Sequence, residues 1–143
     1  MDEKLFTVDQ AEKILPEIRK IMENVLEVRK SAIQAGEELA RVAKRMATKD
    51  ESLQPAELVN KRTEVEFLVK IIEEGCEAIV SKGAQVKDLD MGLVDFPSMM
   101  NGEVVLLCWK YGEDGIHFYH SLEDGFAGRK PLERKPELTK KRK

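Results

Sequence analysis

Apolar residues recur along the first half of the chain at alternating steps of four and three: Ile14, Ile18, Ile21, Val25, Val28, Ala32, Ala35, Leu39, Val42 and Met46. Only a helix brings such positions onto one side, and a seam of this length is that of a long coiled-coil-like helix that must associate with another helix. Its start is marked by a capping box, Thr7 with Gln10, and by Phe6 where a hydrophobic staple would sit. Pro16 should kink or restart the helix near its first turns, because it lacks an N–H to donate. The polar stretch "TKDESLQP" then breaks the period.

Pro55, a favoured first-turn proline, opens a second helix through Leu58, Val65, Leu68, Ile72 and Ile79 that stops at Gly83. The two predict an antiparallel helical hairpin over 7–83, on the order of 50 Å long. A further row, Leu15, Met22, Leu26, Ile33 and Ala40, makes the apolar stripe wider than one partner helix covers. Two hairpins pairing into a four-helix homodimer would cover it, and the chain's own sheet is the rival cover.

Residues 84–133 change to a strand period, which makes the fold class α+β, with a small three-stranded antiparallel sheet after the hairpin. In "QVKDLDMGLVDFP" the alternation slips by one past Gly92. A bulge there would return Leu89, Met91, Val94 and Phe96 to the core and set Asp88, Asp90 and Asp95 together on the other face. "EVVLLCWKY" and "IHFYH" follow, joined through "GEDG" as a hairpin. The first of these is apolar on both faces and should be a central strand, covered on one side by helices and on the other by the C-terminal loop or a second subunit.

The chemistry-bearing residues gather late. His117 and His120 are three apart, so a strand sends them to opposite faces and they cannot jointly hold a metal within one. His120 shares its face with Ile116 and Phe118, where it is a hydrogen-bonded core residue or, if a cleft forms, a general base or one metal ligand beside Asp88, Asp90, Asp95 or Glu123. Arg129 follows two glycines in "DGFAGR" that let it turn back to the sheet, to pair with Asp95 or Asp90 or to hold an anionic ligand. Trp109 and Tyr119 read as core residues or as walls of a ligand pocket.

Composition narrows the classes. With 143 residues the chain fits one domain, 1–133, ahead of a basic tail over 134–143 that reads as a disordered, solubilising end. Charged residues make up 36% but the net charge is only -3, so the surface is of mixed sign and binding to nucleic acid is not expected of the body. The "KKRK" end is the one segment that could dock a polyanion. The start lacks a secretory signal and no apolar run reaches membrane-spanning length, so a cytoplasmic protein without membrane contact is expected. Cys76 and Cys108 lack CxxC spacing and read as reduced, buried small hydrophobes. No phosphate-loop glycine pattern and no GxSxG serine is present.

Three segments, "FTVDQAEKILPEIR", "KDLDMGLVDFPSMMNGEVVLLCWKYGE" and "GFAGRKPL", resemble the uncharacterised prokaryotic family DUF2203 over about residues 6 to 132. The resemblance runs through Asp88, Gly92, Leu93, Val94, Asp95, Phe96 and Pro97, then Cys108, Trp109, Gly112 and Glu113, then His120, Gly125, Phe126, Gly128 and Arg129. Tyr119 stands where tryptophan is common in the family and Lys130 where glutamine is. The resemblance implies a small bacterial or archaeal protein and names no reaction, cofactor or partner. The leading expectation is an assembly module, dimeric through its hairpins, and the alternative is a small-ligand or metal-dependent enzyme. The second would use His120 as acid/base, Asp88, Asp90 and Asp95 as ligands or electrostatic partners, and Arg129, Trp109 and Tyr119 at the ligand.

Overall fold

A computed structural model describes residues 4–49 and 52–133; the basic tail lies outside them. The order is two helices, α1 (Val8–Ala47) and α2 (Pro55–Ser81), then strands β1 (Gln85–Asp88), β2 (Leu93–Met100), β3 (Glu103–Lys110), β4 (Phe118–His120) and β5 (Lys130–Pro131). The fold is α+β, a helical hairpin followed by an antiparallel sheet. Contacts divide the chain into two compact units, Met1–Ile18 with Val80–Lys143, and Arg19–Ile79. Among the described residues no helix is long and apolar enough to cross a membrane.

The hairpin unit is antiparallel by its cross-links. Lys61 on α2 bonds Glu38 on α1 at 2.7 Å, and Arg45 on α1 meets Glu57 on α2 at 3.5 Å. The helices approach closely at Gly75, where an added Cβ would collide with Val25 Cγ2. Few of its side chains are enclosed: Met22, Val25, Ala35 and Ile79 are buried, whereas Ile33, Val59 and Phe67 lie exposed.

In the sheet unit the capping box forms as expected. Thr7 N–H donates to Gln10 Oε1 at 2.9 Å and Gln10 N–H to Thr7 Oγ1 at 3.0 Å. Phe6 does more than close a helix turn, because its N–H donates to Pro97 O at 2.7 Å and its ring meets Phe96 edge-on at 5.4 Å. Its carbonyl also accepts from Ser98 Oγ at 2.5 Å. Pro16 does not restart the helix; α1 runs through it without a break. The buried stripe entering α1 is Ala11, Leu15, Ile18, Met22 and Val25. It takes Leu15 and Met22 from the second row, leaving Ile14 and Ile21 half-buried.

The sheet is a five-stranded meander, β1-β2-β3-β4-β5, where the alternation predicted three strands. Two local causes account for the difference. The slip past Gly92 is a turn and not a bulge: Asp88 Oδ1 accepts from the N–H groups of Asp90 (2.8 Å) and Met91 (3.3 Å), and Gly92 takes φ 66°. That side-chain acceptor competes with the ladder and ends β1, so one expected strand becomes two. The bulge lies instead between Val86 and Asp88. At the far edge Lys130 and Pro131 pair with Tyr119 and Phe118, adding a strand too short to show a period.

β3 is central, as its two apolar faces require, and Val105 to Trp109 are all buried. One face carries Val94, Phe96, Leu107 and Trp109, with Phe6 against it. The other carries Leu93, Asp95, Pro97, Leu106 and Cys108, and it is the C-terminal segment that covers it. The chain's own loop therefore supplies the cover for which a second subunit was the alternative.

Candidate functional site

Register assembles the site on this second face. Asp95 in β2 lies directly opposite Cys108 in β3, and Leu106, two residues back, lies opposite His120 in β4. Side chains two apart share a face, so Asp95, Cys108 and His120 converge although they are far apart in sequence. One ligand atom from each lies within 4.8 Å of the other two. All three are buried, Asp95 with 1% and His120 with 3% of its surface exposed.

Hydrogen bonds fix the imidazole. His120 Nδ1 lies 2.7 Å from the Ser121 carbonyl, which can only accept, so Nδ1 carries a proton. Nε2 faces Asp95 Oδ2 at 2.9 Å. One further proton then sits between them, on the imidazole as an imidazolium–carboxylate pair or on the carboxyl as a neutral one. Burial pushes the Asp95 carboxyl above the usual carboxylate range, and His120 opposes that rise. Asp95 Oδ1 is buried and takes no well-aligned hydrogen bond, with the Cys108 thiol a weak donor close to the same carboxylate. Such an acceptor costs about 1–3 kcal/mol, so its retention calls for a reason. Burial and then the Asp95 carboxylate raise the Cys108 thiol to about 11, which keeps it protonated near neutral pH.

Beside the three residues lies a cavity of about 150 Å³, bordered also by Lys87, Glu123, Gly125 and Phe126. The C-terminal loop that forms its wall is drawn tight by its glycines. Gly125 takes φ 69°, and a Cβ at Gly128 would stand 2.6 Å from Asp124 Cβ. The turn delivers Arg129 back to the sheet, with its guanidinium 3.9 Å over the Phe118 ring and 4.6 Å over Phe126.

Arg129 does not pair with Asp95 or Asp90. It forms a two-pronged pair with Glu113, Nη1 to Oε1 at 3.3 Å and Nη2 to Oε2, and Nη1 also lies 3.8 Å from Cys108 Sγ. Partial burial works against the guanidinium's charge, Glu113 and Cys108 favour it, and the net direction is upward. Glu113 is in turn fixed by Lys110 N–H donating to Oε1 at 2.9 Å, and its carbonyl accepts from Trp109 Nε1 at 3.0 Å.

Of the residues singled out from the sequence, the structure brings Asp95 and His120 together, sets Glu123 on the same cavity and Arg129 against Cys108, and leaves Asp88, Asp90, Trp109, Tyr119 and His117 apart. Asp88 and Asp90 belong to the β1–β2 turn, with Asp90 exposed. Trp109 is enclosed in the opposite face, and Tyr119, opposite Leu107, borders a separate depression with Ser121 and Lys130. His117 pairs with Asp114 at 2.7 Å on the surface. Both cysteines are free, Cys108 buried and Cys76 half-buried. By strand period alone Cys108 is core filling, and Glu113, in a loop, carries no site signal. The signal for Cys108 was its place in the central strand at the same parity as Leu106, the residue that His120 faces.

Among the described residues, the antiparallel sheet encloses an Asp–His–Cys cluster beside a small cavity. The chain belongs to the family described as an uncharacterized conserved protein, DUF2203, whose match spans residues 4–132. No curated protein and no solved structure matches it.

Proposed function

We propose that the sheet unit is a small-ligand site of an acid–base enzyme, with His120 as the proton-transferring group and Asp95 as its partner. The observation that supports this most is the buried acceptor Asp95 Oδ1, which has no well-aligned hydrogen bond and belongs to a residue bordering the cavity. A ligand with a hydroxyl, amine or amide N–H would satisfy it, and the shared proton lies next to where that ligand would bind. A cavity of about 150 Å³ is too small for a nucleotide and admits a molecule of about benzene's size. Arg129, held by Glu113, serves as the clasp of the cavity wall in this reading. Lys87, exposed, borders the cavity.

The test is an amide and imidazole NMR titration of the full chain with small alcohols and carboxamides. Shifts confined to His120, Cys108, Gly125 and Phe126, and lost in Asp95→Asn, support the site. Shifts scattered over both units, or none, would sink it.

A second reading, self-association through the hairpin, draws on the exposed Phe67, 64% accessible, and Val59, 57% accessible, on α2. A homodimer mass by light scattering, reduced to a monomer by Phe67→Ser, supports it; a monomer at micromolar concentration ends it. The two free thiols suit a reducing cytoplasm in either reading.

A further inference from the structure

We infer that Asp95, Cys108 and His120 form a binding site for a borderline-soft divalent transition metal, Zn²⁺ above all, with its open coordination position facing the cavity. The inference rests on the same ligand site as the proposed function and reassigns one role within it: with Nε2 on a metal and Nδ1–H held by the Ser121 carbonyl, His120 would be a ligand, and the proton-transferring group would be water at the open position.

The donor set comes first. One carboxylate, one imidazole and one thiol offer ligand atoms within 4.8 Å of one another. Ligand atoms around a tetrahedral zinc stand roughly 3.5 Å apart, so the longest separation in the cluster would close by at most about 1.3 Å and the 2.9 Å Asp95–His120 contact would open slightly. A thiol with an imidazole selects zinc or cobalt over magnesium and calcium, which take oxygen donors.

The outer shell is built as such a site requires. His120 Nδ1–H is tied to the Ser121 carbonyl at 2.7 Å, which fixes the ring and directs Nε2 at the cluster. Arg129 Nη1, 3.8 Å from Cys108 Sγ, is placed to favour a thiolate. Asp95 Oδ1 supplies the independent sign of a missing partner, since it is buried without a well-aligned hydrogen bond in a side chain that borders the same space. Three protein ligands beside a cavity leave a fourth position for water or substrate, the arrangement of catalytic rather than structural zinc sites. Asp88 and Asp90 take no part, being committed to their turn.

The experiment uses the full chain, stripped with a chelator, and adds Co²⁺ and Zn²⁺. Co²⁺ should give a thiolate-to-cobalt charge-transfer band that saturates at one equivalent, and Zn²⁺ should displace it and raise the melting temperature. Mg²⁺ at the same concentration should do neither. The band should vanish in Cys108→Ser and persist in Cys76→Ser and Asp88→Asn. Asp95→Asn should weaken binding by more than the roughly 10–100-fold that loss of an outer-shell partner costs. Far-UV circular dichroism and Trp109 fluorescence establish that each variant is folded. The wild-type chain alone can overturn the inference: no cobalt band and no zinc effect on melting would do so. If the small-molecule shifts at His120 and Phe126 still occur, the ligand site survives without the metal; if they fail too, both fall.

Discussion

The hairpin unit and the sheet unit bury side chains by different geometry. Between two antiparallel helices a side chain meets one partner surface, so even at the close approach of Gly75 to Val25 only a thin line of residues is enclosed. Polar groups there, such as Lys61 and Glu38, stay in reach of water. In the sheet unit β2 and β3 are covered on both faces, and that second cover allows an aspartate, a cysteine and a histidine to be removed from solvent together. Enclosure, more than residue type, separates a surface ion pair from a chemically distinctive one.

Substitutions should break this contrast in graded fashion. The largest effect is expected from His120→Ala, which leaves Asp95 buried without its imidazole. A loss of about 3–5 kcal/mol is expected in urea unfolding followed by Trp109, the single tryptophan, which reports the sheet unit. Replacing Asp95 and His120 together by leucine should recover much of that loss, and a double variant as unstable as the single would show that the cost is not electrostatic.

Arg129→Met comes next. It strips Glu113 of its two-pronged partner and should cost about 1.5–3 kcal/mol by the same probe, with Glu113→Gln milder because the amide still accepts from Lys110 N–H. Equal losses would argue against the pair as the clasp of the loop.

Gly75→Ala tests the hairpin. Collision with Val25 should cost about 1–3 kcal/mol, offset in part by alanine's better helix propensity. Val25→Ala should rescue it. Helical circular dichroism should fall at lower urea than Trp109 fluorescence changes, and coincident transitions would mean that the units unfold as one.

The smallest effect concerns the Glu38–Lys61 pair. The hydrogen bond and charge of Lys61 hold the Glu38 carboxyl below its usual range, so its contribution is full above the unfolded glutamate's titration and fades as pH falls through the lowered folded value. Acidification should therefore lower the melting temperature of the wild type slightly more than that of Lys61→Met. High salt should erase the difference, and a difference that survives salt would point to another cause.

How much of this was legible in the letters follows the same division. Period alone finds the helices, because the apolar spacing and the Thr7–Gln10 box are local signals. It finds β3 as a central strand for a similar reason. It misplaces the end of β1, because an aspartate side chain replaces ladder hydrogen bonds there, and nothing in an alternation of apolar letters marks that substitution. The site was half visible. His120 and Asp95 were both singled out, but their meeting depends on cross-strand register, and with it Cys108 passed for a core residue. Arg129 was expected to turn back, and did; its partner Glu113 sits in the β3–β4 loop, where period carries no information.

The order of the units along the chain has a kinetic consequence. Phe6 is hydrogen-bonded to Pro97 in the middle of β2, so the sheet unit is complete only when the first residues return after the whole of Arg19–Ile79 has been traversed. Closing so long a loop is slow when the intervening chain is unstructured, and a hairpin formed early acts as a splint that shortens it. Weakening the hairpin at Gly75 should then slow recovery of the Trp109 signal on refolding, a remote effect on β2 and β3 without the loss of a single contact to either.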